Sequence, residues 1–123
     1  MFSKKNLIGA VAGGLFLSLG VAHAELDVDP KTLFDEVDRD DARRLVEGTC
    51  LNCHGQGVMG AAGIGAPAWP HLVDARGFEG LTMSVINGRG AMPPRGGRDV
   101  SDEEVAAAVL YMLVESGIDK DDL

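Results

Sequence analysis

Cysteine is nearly absent from this sequence: Cys50 and Cys53 are the only two, and both lie in one stretch of five residues. That excludes a disulfide framework, and it leaves too few ligands for a structural zinc site, which takes four. Histidine is also scarce, at positions 23, 54 and 71 only. Basic residues are outnumbered, 11 Lys and Arg against 19 Asp and Glu, for a formal charge of −8. Bulk charge of that sign excludes nucleic acid and anionic lipid as partners. Long apolar runs are missing too. Leu7 to Ala22 is 16 residues, about 24 Å of helix at ~1.5 Å per residue, against roughly 30 Å of bilayer hydrocarbon. Gly9, Gly13, Gly14 and Gly20 weaken that helix further. No membrane span is expected in the mature chain. At 123 residues there is room for one small domain, which buries little apolar surface by itself.

The short apolar run has another reading. Lys4 and Lys5 precede it and Ala22-His23-Ala24 follows it, the layout of a secretory signal peptide cleaved after Ala24. Export removes two lysines and no acid, so the mature chain carries nine basic and 19 acidic residues, a formal −10. The expected organisation is a signal peptide over 1–24, an acidic N-terminal extension over 25–39, one domain over 40–118, and an acidic, fraying tail over 119–123.

What is present centres on Cys50-Leu51-Asn52-Cys53-His54. Cys-x-x-Cys-His is the attachment signature of c-type haem. Two cysteines three positions apart share neighbouring faces of one helical turn, so both sulfurs can form thioethers to the vinyl groups of one porphyrin. The next residue, His54, then offers its imidazole to the iron as an axial ligand. A thioredoxin-like site would need a βαβ pattern, and none surrounds the motif. His71 reads as a surface or helix-start residue. In bacteria haem is joined to such motifs after export, which points to the periplasm.

Around the motif the pattern is helical. Asp29 with Pro30 starts a short helix burying Leu33, Phe34 and Val37. Asp40 or Asp41 caps a second that runs into Cys50. Gly55 to Gly65 reads as a loop, with the Ala66–Pro67 region as the acceptor for the second ring nitrogen of His54. For Trp69, core packing and a hydrogen bond to a haem propionate both stay open. Leu72–Ala75 and Phe78–Asn87 read as helices broken at Gly77. Asn87 to Arg98 holds four glycines and two prolines, which excludes a helix there. Its Met92 is therefore not a core-face methionine, unlike Met83 and Met112, and Met59 lies too close to His54 to reach the opposite haem face. Met92, 38 residues beyond His54, is the expected second axial ligand, completing the ligand pair of electron-transfer cytochromes. Ser101-x-x-Glu104 is a capping box that opens a last helix ending at Gly117. Its stripe Val105, Ala108, Val109 and Met112 should face the core. Leu110 and Val114 form either a partner or homodimer surface or a face covered by the N-terminal segment.

The Cys50–His54 motif, the Asn87-Gly-x-Gly-Ala-Met92-Pro-Pro loop and the capped last helix together resemble a class I cytochrome c. The wording around Met92 is most similar to the small bacterial cytochrome c-five group, although Gly97-Arg98-Asp99-Val100 lacks that group's second cysteine pair. The resemblance implies an all-α fold, about four short helices wrapped around one covalently attached haem c. It implies Cys50 and Cys53 as thioether sites and His54 and Met92 as iron ligands. The function implied is one-electron transfer between redox proteins, with no chemistry on a substrate. The alternatives are a haem subunit of a larger dehydrogenase or oxidase complex, or a haem enzyme or sensor with an open distal site. Arg76, Arg89, Arg95 and Arg98, set against Glu79 alone, point to a partner with an acidic docking rim.

Overall fold

Asp29 opens the first helix, α1 (Pro30–Glu36), its carboxylate accepting the Lys31 N–H at 3.1 Å. The structure, a computed structural model, describes Leu26 and residues 28–123. The signal peptide expected over 1–24 lies outside the described residues. Asp38 caps α2 (Arg39–Leu45) by accepting from the Asp40 N–H at 2.8 Å. The cap therefore falls two or three residues before the aspartates expected, which instead occupy the first turn, where the helix dipole favours acids. The chain then passes through a π turn (Val46–Cys50) into α3 (Leu51–His54), so Arg39 to His54 is one continuous rod. In the π turn the Leu51 N–H reaches back five residues to the Val46 carbonyl. Such turns insert one residue into a helix and cluster at functional sites.

α4 (Ala68–Asn87) starts earlier than expected, with Pro70 in its first turn, where its missing N–H costs nothing. It breaks where expected, at Gly77, whose φ is 65°. Phe78, Leu81 and Thr82 are buried, and the Thr82 hydroxyl donates to the Phe78 carbonyl at 2.9 Å.

The last helix, α5 (Asp102–Glu115), lies at the centre of the packing. Every residue from Val105 to Leu110 is buried, as are Met112 and Leu113. A helix apolar all round belongs in the middle of a core. Val46 on the rod, Phe78 and Leu81 on α4 and Leu33 on α1 join it in one cluster. This is wider than the expected stripe. Leu110 is 3% exposed because α1 lies across it, so the covering reading holds there. Tyr111 sits beside the rod, near Asp40, Arg43 and Glu47, and burial followed by neighbouring acids pushes its phenol up from the usual value. The helix ends in a Schellman arrangement: Ile118 N–H donates to Leu113 O and Gly117 N–H to Val114 O, both at 3.0 Å. The tail, expected to fray, ends in a helical turn. A 3₁₀ turn (Lys120–Asp122) returns it to α1, where Asp121 pairs with Lys31 at 3.8 Å.

The capping box forms in both directions: Ser101 Oγ accepts from Glu104 N–H at 3.1 Å, and Glu104 Oε2 accepts from Ser101 N–H at 2.7 Å. Ser101→Ala removes the first bond at the start of the central helix. The expected loss is about 1 kcal/mol, read as a lower denaturant midpoint at unchanged slope. An unchanged midpoint would show that tertiary packing alone sets that helix start.

Candidate functional site

The rod delivers the five motif residues through its π turn. Cys50 closes that turn, and Leu51 to His54 make the single turn of α3. Both thiols are unpaired and half-buried. Burial pushes the Cys50 thiol up from its usual value, against a smaller opposing effect of its backbone hydrogen bond.

His54 is fixed twice by the loop that follows it. Its ring Nδ1 lies 2.8 Å from the Ala62 carbonyl, and its own carbonyl accepts from the Ile64 N–H at 2.8 Å. A carbonyl can only accept, so Nδ1 carries the proton and Nε2 keeps its lone pair. Among the described residues nothing hydrogen-bonds Nε2, which leaves an oriented ring with one free nitrogen. The acceptor is thus Ala62, not the Ala66–Pro67 region expected. Every residue carries a carbonyl, and no side-chain signal marks the one that turns inward.

Trp69 supports the same loop. Its Nε1–H donates to the Gly63 carbonyl at 2.7 Å, and its ring lies 5.8 Å from that of His54, tilted by 40°. Indole has one donor, and it is engaged within the chain, so of the two readings left open for Trp69 the structure favours core packing. The residue is 6% exposed and belongs to the core. Residues 62 to 64 therefore act as a rail, with successive backbone groups holding His54, Trp69 and again His54.

Met92 sits in a loop folded tightly on itself. Arg89 and Met92 exchange both backbone hydrogen bonds, Arg89 N–H to Met92 O at 2.9 Å and Met92 N–H to Arg89 O at 3.0 Å. Gly88 precedes this clasp at φ 77°, and a Cβ there would stand 2.8 Å from Pro94 Cδ. Beyond Pro93 the chain makes a 3₁₀ turn (Pro94–Gly97). Gly96 in that turn, at φ 62°, leaves room for Thr49: a Cβ would fall 2.6 Å from Thr49 Cγ2. The methionine loop thus rests on the residue preceding Cys50, and the two motifs share one locality. The Met92 side chain is half-buried, whereas Met59 is 76% exposed and Met112 is in the core.

The arginines of this region are not equivalent. Arg95 donates to the Val100 carbonyl at 3.0 Å and pairs with Asp102, and Arg76 donates to Ser84 Oγ. Two of the four expected to form a positive patch therefore serve the fold. Arg89 and Arg98 are exposed, without an ion pair among the described residues, and Asp99 adjoins Arg98. His71 is exposed. No group of three or more His, Cys, Asp or Glu gathers among the described residues, so the zinc alternative has no ligand set.

Comparison with known proteins bears on the same region. A family profile described as "Cytochrome C oxidase, cbb3-type, subunit III" matches residues 37–112. Cytochrome c5 of Ectopseudomonas mendocina is 42% identical over 66 residues, which cover 51% of this chain and 76% of that protein. Cytochrome c-551 of Halorhodospira halochloris is 45% identical over 67 residues, covering 53% and 80%. Among solved structures, a chain from an electron transfer complex of nitrite reductase with cytochrome c matches with TM-score 0.56 and 38% identity, over 62% of this chain and 94% of that one.

Proposed function

Because the chain belongs to the class I cytochromes c, we propose that it is a periplasmic one-electron carrier that acts on no substrate of its own. The cofactor of the family is covalent haem c. The residues present fit that group: two unpaired, half-buried thiols, one a turn before and one adjacent to an imidazole whose ring is oriented by a carbonyl. Thioether sulfur and imidazole also suit iron as ligands.

In this reading, Cys50 and Cys53 anchor the porphyrin as thioethers, and His54 Nε2 and Met92 Sδ ligate the iron. When bound, the haem supplies a one-electron Fe(III)/Fe(II) couple. The chain holds and tunes it. Ala62 fixes the His54 tautomer and raises its basicity as a ligand. The Arg89–Met92 clasp restrains the thioether, which favours Fe(II) relative to a second histidine. The observation that carries the reading is the His54 Nδ1–Ala62 hydrogen bond, because it fixes the ring and leaves its other nitrogen free to act as a ligand.

Residues 1–24 are assigned as a cleaved signal peptide and 40–118 as the haem domain. No helix among the described residues is long and apolar enough to cross a membrane. The partners are redox proteins, by analogy with the relative solved in complex with nitrite reductase. An acidic rim on such a partner now rests on Arg89 and Arg98 alone. The subunit alternative loses the buried Leu110 as a contact surface.

The test is extraction of the purified protein with acid and organic solvent. All haem should stay with the polypeptide, with the optical spectrum of a six-coordinate His/Met iron in both oxidation states. Haem released into the solvent would overturn the covalent reading.

A further inference from the structure

Arg95 stands in a costly conformation. Three consecutive residues, Arg95, Gly96 and Gly97, take left-handed φ values of 54°, 62° and 73°. Glycine enters that region freely, and a residue with a Cβ does not. Backbone energy alone would favour a third glycine at position 95. What the arginine supplies instead is reach. One guanidinium nitrogen donates to the Val100 carbonyl at 3.0 Å, and the other pairs with Asp102 in the first turn of α5. Strain kept for the sake of a side chain's contacts points to use.

Those contacts bear on Met92 through a stiff connection. Only Pro93 and Pro94 separate Met92 from Arg95, and a proline ring fixes φ. On the near side, the backbone clasp with Arg89 ties Met92 to the chain leaving α4. On the far side, Arg95 ties the loop to the start of α5, and Gly96 rests on Thr49. The methionine is thus suspended between two helix ends. We propose that Arg95 is a positioning residue, a latch onto Val100 and Asp102 that keeps Met92 in place as a ligand. This inference rests on the Met92 ligation read above. Methionine favours Fe(II), so the ferric state is where a latch counts most.

Imidazole added to the ferric holoprotein reads the latch. It takes the sixth position only after Met92 withdraws, so its apparent affinity follows the fraction of open loop. Loss of the sulfur-to-iron charge-transfer band reports the exchange. Arg95→Gly removes both contacts and relieves the strain, so the backbone keeps its path. Apparent imidazole affinity should rise about tenfold, the weight of one charge-assisted hydrogen bond, the partly exposed ion pair adding little. Asp102→Asn should raise it too, by less. That shared direction separates a latch from a field effect. One variant removes a positive charge and the other a negative one, so a field acting on the iron would move them oppositely. Arg95→Lys offers one nitrogen in place of two and should fall between Arg95→Gly and the parent. Ser101→Ala, which weakens the same helix start but leaves the latch, should keep the parent affinity. An affinity unchanged or lowered in Arg95→Gly, opposite shifts in Arg95→Gly and Asp102→Asn, or an equal rise in Ser101→Ala would overturn the latch. A parent whose ferric form lacks the band would instead overturn Met92 ligation itself, and the latch with it.

Discussion

Replacing Cys50 and Cys53 together by alanine is expected to give a chain with no haem mass and with greatly reduced stability. Mass spectrometry of the denatured parent should show polypeptide plus porphyrin, and of the double variant polypeptide alone. The stability loss follows from size. The family profile matches only residues 37–112, a length at which the core alone leaves little margin. The shell around the buried cluster is incompletely covered: Leu51, Ala62, Ile64, Val85, Ile86 and Val100 are only partly buried. A porphyrin tethered to α3 adds apolar surface against such groups, at about 25 cal/mol per Å² buried. Tethering also keeps the group at the site when the chain opens, so loss of the tether acts on the unfolded state as well. The variant should therefore unfold at far lower denaturant than the parent, and the single variants should fall between. A double variant that still carries porphyrin mass would place the attachment elsewhere and sink the assignment.

The parts of this architecture that could be read in the sequence are those set by a few neighbouring residues. The Ser101–Glu104 box, Asp29 with Pro30, the break at Gly77 and the stop at Gly117 all act within one turn, and each forms as expected. The features missed depend on residues far apart or on backbone atoms. The π turn carries no composition signal beyond Gly48, and its register goes with Val46, 1% exposed against α5. The Arg95–Asp102 pair spans a loop whose path is set by Gly96 resting on Thr49. The cover over Leu110 depends on where α1 docks. At the site, the proposed anchor and ligand side chains could be picked out by type and spacing, because ligation chemistry demands particular side chains. The groups that orient them, the carbonyls of Ala62 and Gly63, were not, because backbone atoms are common to every residue.

Met92→Ala is the substitution expected to change the redox chemistry most while sparing the fold. Met92 is half-buried on an exposed loop, and the clasp with Arg89 uses only its backbone, which alanine retains. The core cluster does not include it, so secondary structure and haem attachment should persist. What goes is the thioether. Under the proposed ligation, the ferric protein should lose its sulfur-to-iron charge-transfer band, and the ferrous protein should bind carbon monoxide, which the parent should refuse. Methionine stabilises Fe(II), so the potential should fall. A drop of roughly 0.2 V is a fair share of the ~0.8 V that axial ligands span. Met59→Ala is the control, because the Met59 side chain is the most exposed large apolar group described. It should leave band, gas binding and potential alone. Met92→His separates ligation from mere access: a sixth ligand returns and carbon monoxide is again excluded, while the potential stays low. If Met92→Ala keeps the band and Met59→Ala loses it, the second ligand comes from the loop beside His54, and the clasp between Arg89 and Met92 serves the fold alone.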